Sequence, residues 1–420
     1  MKLAIIGSGI SGLSSAYYLS KNHKVDLFEK DDHFGGHSHT IDIKIQDNVI
    51  PVDIGFIVFN KKTYPNLINF FEENNIAIEK SNMSFSVSVR DSEIEYCGKG
   101  ISGIFSNKLN LLNIKFLKMF FTIIDFYKKS ENKNIITENI TLGKYLEKLN
   151  VSDYFIKFHI IPMVSAIWSM PPYEAKQMPL SFFLKFFQNH GLFKLKNRPQ
   201  WFTVSNRSRT YVDKILSNIS GEYYKNYNIN KIKRIQSGVQ VYYGDKNEYF
   251  TYDKVVLATH ADQALSMIEA PDAIEKKILS NFKYKTNEAV IHEDINYMPK
   301  NNKAWCSWNS SIESENSEQN SITYWLNLLQ NLNISKNIFL TLNPYSKIPE
   351  EKIIRRVQFT HPYFDQKAIN SQKDLNLIQN KKNILFCGSY FGYGFHEDGI
   401  KSSLDMICLL YTSPSPRDNR

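Results

Sequence analysis

Lys2-Leu3-Ala4-Ile5-Ile6-Gly7-Ser8-Gly9-Ile10-Ser11-Gly12 opens the chain, and Leu13 to Leu19 and then Lys24-Val25-Asp26-Leu27-Phe28-Glu29 follow. The apolar run Leu3 to Ile6 reads as a buried strand, 13–19 as a helix, and 24–28 as a second strand that ends on an acid. Strand, glycine-rich turn, helix, strand and acid in this order form the dinucleotide-binding βαβ unit. Gly7 permits the tight turn, Gly9 lets a pyrophosphate approach the backbone, and Gly12 lets the helix lie close to the strand. Ser8 and Ser11 share that turn. The helix N-terminus offers free N–H groups and partial positive charge to phosphates. Glu29 suits a ribose diol and would repel a 2′-phosphate, and Lys30 stands next to it. A glycine-rich turn of another kind would not place an acid at the end of the second strand.

A second glycine pair follows in Phe34-Gly35-Gly36-His37-Ser38-His39, and Val52-Asp53-Ile54-Gly55-Phe56 comes soon after. NAD alone does not require these. They resemble the extended FAD motif of the flavin amine oxidase and phytoene desaturase superfamily, which implies contacts from Gly36, His37, Ser38, Asp53 and Gly55. Where that superfamily has an arginine after the glycines, this chain has His37, which can still donate a hydrogen bond. As a turn acid, Asp53 could equally cap its own backbone.

Near the other end, Asn383 to Cys387 reads as a strand, and Gly388-Ser389-Tyr390-Phe391-Gly392-Tyr393-Gly394-Phe395-His396-Glu397-Asp398-Gly399-Ile400 leads into a helix. This stretch resembles the hallmark of a bacterial group of amine-oxidase-like, predicted NAD/FAD-binding proteins. Thr63-Tyr64-Pro65-Asn66, Ser81 to Val87, Ala304 to Asn309, Tyr324 to Asn327, Thr341 to Pro344 and His361-Pro362 resemble the same group. The likeness spans about residues 1–407. It implies that Gly388 and Ser389 meet the cofactor and that Gly399 and Ile400 give amides to the flavin edge, with Asp398 as helix cap. It also implies that Ile235, in a hairpin near 231–243, faces the adenine, and that His396 and Glu397 face the flavin as candidate catalytic residues; a structural hydrogen bond holding the loop is the alternative for both. Members of this group sit beside genes resembling cyclopropane fatty acid synthases, which points to acyl-chain chemistry.

The fold class expected is α/β: a Rossmann-like FAD-binding domain (GR2-type) with a discontinuous α+β substrate domain. The FAD-binding domain would comprise 1–60, 205–265 and 383–407, and the substrate domain 61–204 and 266–382. Residues 408–420 break the helical pattern and resemble a translated sequencing adapter, so they are expected to be a non-native tail. Two Phe- and Leu-rich stretches, 101–129 and 180–193, fit amphipathic helices. They would pack a core, line an apolar tunnel or rest on a membrane.

The chain has 420 residues, 42% hydrophobic and 22% charged, with formal net charge +9. Those are globular values, and the length suggests two domains. The net charge fits either plain solubility or a preference for anionic surfaces such as phospholipid or acyl thioester head groups, and the lack of a dense Lys/Arg block favours the first; no nucleic-acid partner is expected. Cys97, Cys306, Cys387 and Cys408 have neither metal-ligand spacing nor a disulfide framework, so no metal is expected. The nucleotide motif begins at residue 3 and no apolar run is long enough to span a bilayer, so the expected location is cytoplasmic, with peripheral membrane contact as a variant. Together these imply an FAD-dependent oxidoreductase, the FAD held non-covalently, acting on a small apolar molecule such as an acyl chain or isoprenoid-like lipid. An amine oxidase and a flavin-binding protein without turnover are the alternatives.

Overall fold

The computed structural model describes residues 1–131, 139–244, 248–317 and 319–412. At its centre lies a parallel five-stranded sheet ordered Gly221–Tyr224, Lys24–Phe28, Lys2–Ile6, Lys254–Leu257, Ile384–Phe386. A strand buried on both faces needs a continuous apolar run, and Leu3 to Ile6 and Val255 to Leu257 supply one. Side chains alternate across the sheet. Leu3, Ile5, Val256 and Leu385 enter one core with the helices Ile10–Ser20, Pro65–Glu73, Ser208–Ser217 and His396–Thr412. Ala4, Ile6, Val255 and Ile384 enter the other, beneath a three-stranded antiparallel sheet of Ile229–Ile235, Gly238–Tyr243 and Glu248–Tyr252.

A seven-stranded sheet makes the second layer. Its order is Ile353–Tyr363, Lys283–His292, Phe339–Leu342, Asn320–Trp325, Trp308–Ile312, Phe85–Val89, Glu95–Cys97. All its pairings are antiparallel except that of Trp308–Ile312 with Phe85–Val89. Two stretches quoted above therefore meet as one parallel pair. The Ser86 hydroxyl donates to Asn309 Oδ1 at 2.7 Å, and Ser84 and Ser307 exchange backbone and side-chain bonds.

The sequence places the end of the closing helix at Ile407. In the structure it runs on to Thr412, with Leu410 buried and the Tyr411 hydroxyl 3.1 Å from His23 Nε2. Residues 413–420 of the expected tail lie outside the described residues. The 101–129 stretch divides by face: Phe116, Met119, Ile123, Phe126 and Tyr127 are core, while Ile114 and Phe121 are exposed. The 180–193 stretch is core almost throughout.

Inside the helical part, His159 lies between two tyrosines. Tyr96 Oη is 2.9 Å from Nδ1 and Tyr127 Oη 2.8 Å from Nε2. Tyr96 donates its own proton to the Phe158 carbonyl, so a neutral ring donating from Nδ1 and accepting at Nε2 satisfies every partner. Burial pushes the His159 imidazole down to about 3. A folded-state value below the unfolded one contributes stability above pH 6.5 that is lost as pH falls toward 3. At pH 5 this group alone is expected to cost about 2 kcal/mol relative to pH 7.5. Chemical unfolding of wild type and His159→Gln at both pH values checks this: the variant should lose less stability on acidification, and equal losses would refute it.

Candidate functional site

A cavity of about 1380 Å³ opens at the C-terminal ends of the parallel strands and extends under the seven-stranded sheet. Pockets for a single small ligand run to roughly 1,000 Å³, so this one has room for a cofactor and a substrate together. Its first end is built from glycine turns. A Cβ on Gly9 would meet nothing within 4 Å, which leaves an open approach to the backbone at the start of helix Ile10–Ser20. Gly7 has φ +96°, and a Cβ there would press on the Ala258 carbonyl at 2.8 Å. Gly36 has φ +56°, and a Cβ there would lie 3.1 Å from Gly9 Cα, so the two glycine turns abut. Gly55 lies so close to the His37 carbonyl that a Cβ would overlap it at 2.2 Å.

Glu29 is buried at the end of its strand and lines the cavity beside Lys30. Its carboxylate accepts the Ser8 N–H at 2.9 Å, the Ser8 hydroxyl at 2.5 Å and the Asp31 N–H at 3.1 Å. The Ser8 hydroxyl also accepts from the Gly35 N–H at 3.0 Å. One serine thus ties both glycine turns to the acid. A carboxylate has about four acceptor sites, so one is left for a ribose hydroxyl. Beside them, His37 Nε2 is buried without a partner, and burial pushes that imidazole down to about 4. An orphaned donor or acceptor costs about 1–3 kcal/mol, so a ligand that engages it gains that back. Glycine cradle, helix N-terminus, buried acid and orphaned ring nitrogen together fit a dinucleotide.

Gly7, Ser8, Gly9, Ser11, Glu29, Lys30, Gly36, His37, Gly55, Gly388, Ser389 and His396 line this one cavity. Other expected residues do not. Gly12 packs the helix on the turn, where a Cβ would overlap the Gly7 carbonyl. Asp53 is buried behind the wall, accepting from the Thr40 hydroxyl at 2.6 Å and from the Ser208 N–H and hydroxyl at 2.9 and 2.7 Å. It therefore holds the start of the distant helix Ser208–Ser217, and not its own backbone. Ile235 sits at the far end of its hairpin opposite Gly238, about 20 Å along the strand from Ile229, which does line the cavity.

The closing helix begins at His396, earlier than expected. The Gly399 N–H is already taken by the Phe395 carbonyl at 3.0 Å, and Ile400 is fully buried in the core. A Cβ on Gly399 would meet Ile10 and Ser11 at 2.8 Å, so its role is helix–helix approach rather than cofactor binding. Asp398 reaches back to the Phe395 N–H at 2.9 Å, and burial raises its carboxyl to about 6. Glu397 turns away from the cavity. It accepts the Asn66 and Leu67 N–H groups at 3.1 and 3.0 Å and the Asn66 side-chain amide at 2.6 Å, capping helix Pro65–Glu73. The catalytic role expected for Glu397 is therefore replaced by a structural one.

His396 does face the cavity. Its ring stacks on Phe56 with centroids 3.6 Å apart, and Nε2 lies 2.9 Å from the Ser38 hydroxyl, which in turn bonds the Tyr211 hydroxyl. Ser38 thus reaches the cavity only through His396. Burial holds the His396 imidazole well below its ordinary value, so it is a neutral hydrogen-bonding group. His361 and His260 line the same cavity and are pushed down to about 3 by burial; sequence motifs gave neither a role. Tyr211 sits in a helix with no motif, so only the fold could find it.

The same wall carries many apolar side chains, among them Ile57, Met83, Phe85, Met163, Ile167, Phe186, Leu340 and Leu342, together with Arg198 and Arg355. Trp308 and Tyr324 join them as a perpendicular pair, 4.8 Å between centroids, with Trp308 Nε1 unpartnered. Trp305 and Trp325 form a separate cluster with Phe339. Among the described residues Lys30 is the only lysine on the wall.

Residues 5–73 match the family of NAD(P)-binding Rossmann-like domains. No curated protein sequence matches the chain. A solved structure named provisionally as a protoporphyrinogen oxidase, from Exiguobacterium sp. 255-15, superposes with a TM-score of 0.69 at 14% identity, over 98% of this chain and 99% of its own. A CLA-producing fatty acid isomerase from P. acnes gives 0.67 at 13%, over 98% of each chain. Cyclohexylamine oxidase from Brevibacterium oxydans IH-35A gives 0.66 at 13%, over 98% and 99%. The fold is the one these proteins share.

Replacing Glu397 with alanine removes a helix cap. Glu397→Ala is expected to lower stability by about 1–2 kcal/mol while nucleotide affinity stays at the wild-type level. Thermal unfolding and a nucleotide titration check the two halves; a large fall in affinity with unchanged stability would restore Glu397 to the site.

Proposed function

We propose that the protein is an FAD-dependent oxidoreductase acting on an apolar substrate, an acyl chain or isoprenoid-like lipid. The observation that carries this reading is the mixed wall of one cavity, where the glycine turns and Glu29 share the lining with Met163, Ile167, Phe186, Leu340 and Leu342, and every lining carboxylate belongs to residues 29–42. Bound FAD would supply the two-electron acceptor that no side chain provides. The Gly7–Gly9 and Gly36 turns would leave room for the diphosphate, and the first turn of helix Ile10–Ser20 would give it amides. Glu29 would accept from the ribose, and His37 would offer its free Nε2 as a neutral donor. Met163, Ile167, Phe186 and Leu342 would hold the chain and exclude water around the reacting C–H bond.

His396 is a positioning group in this reading. Its depressed basicity makes it a poor proton acceptor at neutral pH, while Ser38 and Tyr211 fix its orientation. Trp308 and Tyr324 favour a second reading, an amine oxidase, because a perpendicular aromatic pair can flank an amine. Proteins of this fold are named both a fatty acid isomerase and a cyclohexylamine oxidase, so fold alone leaves the two open. Every carboxylate on the cavity wall, Glu29, Asp31, Asp32 and Asp42, comes from the nucleotide-motif segment 29–42, and none from the segments that supply the apolar side chains, where an ammonium would need charge compensation; this ranks the lipid first.

Visible spectra test this. Purified protein loaded with FAD should show a flavin band that bleaches on anaerobic addition of unsaturated fatty acids or a lipid extract. Bleaching by putrescine or cyclohexylamine alone would promote the amine reading, and a flavin that nothing reduces would indicate binding without turnover. Gly36→Val should abolish FAD retention, since its side chain would enter the space against Gly9; full retention would overturn the assigned cofactor site.

A further inference from the structure

The most exposed large apolar side chains among the described residues are Leu112 and Ile114, each 81% exposed, and Ile101 at 77%. They fall close together in the chain, and Leu109, Leu111 and Phe121 extend the same exposed set. The segment is a short helix Ile101–Ile104, a turn Lys108–Leu111 and the start of helix Ile114–Ser130. Its polarity is inverted. Asn110 is buried and donates to the Glu95 carbonyl at 2.9 Å, while the leucines beside it face out. Asn107 and Asn113 accept from Leu109 N–H and Phe116 N–H. Asparagine is ordinarily an exposed residue and leucine a buried one. Hydrogen bonds therefore fix the backbone in the arrangement that presents the apolar residues.

Charge completes the pattern. Residues 99–124 contain four lysines, Lys99, Lys108, Lys115 and Lys118, and no aspartate or glutamate. Lys99 donates to the Trp305 carbonyl, and none of the other three pairs with a carboxylate among the described residues. On the helix, Ile114, Lys118 and Phe121 recur at spacings of four and three, so cation and apolar groups share one outer face. Among the described residues no helix is long and apolar enough to cross a membrane. Contact with a bilayer would therefore be at its surface.

We propose that the 101–121 face docks on an anionic lipid bilayer, its leucines and isoleucines entering the interface and its lysines meeting the headgroups. A two-fold contact with a second copy would set these lysines against their own counterparts, which favours the bilayer as occupant. The proposal is independent of the flavin reading, because none of these residues lines the cavity.

Vesicle sedimentation with the full chain tests it. Wild-type protein is expected to pellet with vesicles of phosphatidylcholine and phosphatidylglycerol, to pellet less with phosphatidylcholine alone, and to be released by salt. Leu112→Glu with Ile114→Glu should weaken binding by about tenfold or more, and Lys115→Glu with Lys118→Glu should remove the preference for anionic vesicles. Circular dichroism and the thermal midpoint establish that the variants fold, and exposed positions leave both unchanged. Wild type that stays in the supernatant, or variants that bind as wild type does, would overturn the proposal. So would a dimer in light scattering that the Leu112/Ile114 variant makes monomeric, since that would assign the face to a second copy.

Discussion

The site depends on how closely two helix N-termini can approach. Helix Ile10–Ser20 and the closing helix His396–Thr412 cross at Gly399, whose missing side chain leaves room for Ile10 and Ser11. Ser15 and Ser403 bond across the same contact at 2.8 Å. Through this crossing, residues separated by nearly the whole chain, Gly9 and His396, come to line one cavity. A methyl group at either Gly12 or Gly399 would push apart the surfaces that define it.

Around this crossing the acids are committed to holding backbone. Glu29 binds the Ser8 turn, Asp53 the helix at Ser208, Glu397 the helix at Pro65, and Asp398 its own helix start. Each is a charge-assisted bond to N–H groups that a helix end or turn would otherwise leave unpaired. The consequence reaches the cavity. With these carboxylates held by backbone, His396 and His361 stand on the cavity wall as neutral rings.

The nucleotide end was legible because each step there obeys a local rule. A turn with positive φ needs glycine, a buried strand needs an apolar run, and the acid must follow the second strand. Roles assigned by position in a motif were harder to read. Glu397 stands next to a residue that faces the cavity, yet a helix turns successive side chains by about 100°, and its carboxylate points to Asn66 instead. Gly399 and Ile400 failed for a related reason, since the helix starts three residues before Gly399 and has already taken its amide. No role could be read for Tyr211, His260 or His361, although His361-Pro362 is one of the motif segments. Their importance comes from long-range packing, which no short stretch of sequence records.

Several motif segments without evident chemistry turn out to be partners of one another. Asn66 in Thr63–Asn66 donates to Glu397 of the C-terminal hallmark, and Ser86 in Ser81–Val87 donates to Asn309 of the Trp-rich segment. Asn343 donates to Asn287 at 2.7 Å and takes its place between two strands of the large sheet. A buried polar side chain paired across distant segments is costly to change alone, because the remaining partner is left unsatisfied. His37 makes the same point from the opposite side. It is a buried polar ring whose Nε2 the protein itself does not satisfy, and it faces the cavity rather than another segment. Being neutral, it can give a phosphate one hydrogen bond but no charge. The attraction that a guanidinium would otherwise supply must then come from the helix N-terminus at Ile10 and the amides of the glycine turns, which are part of the backbone and cannot be lost by a single side-chain replacement.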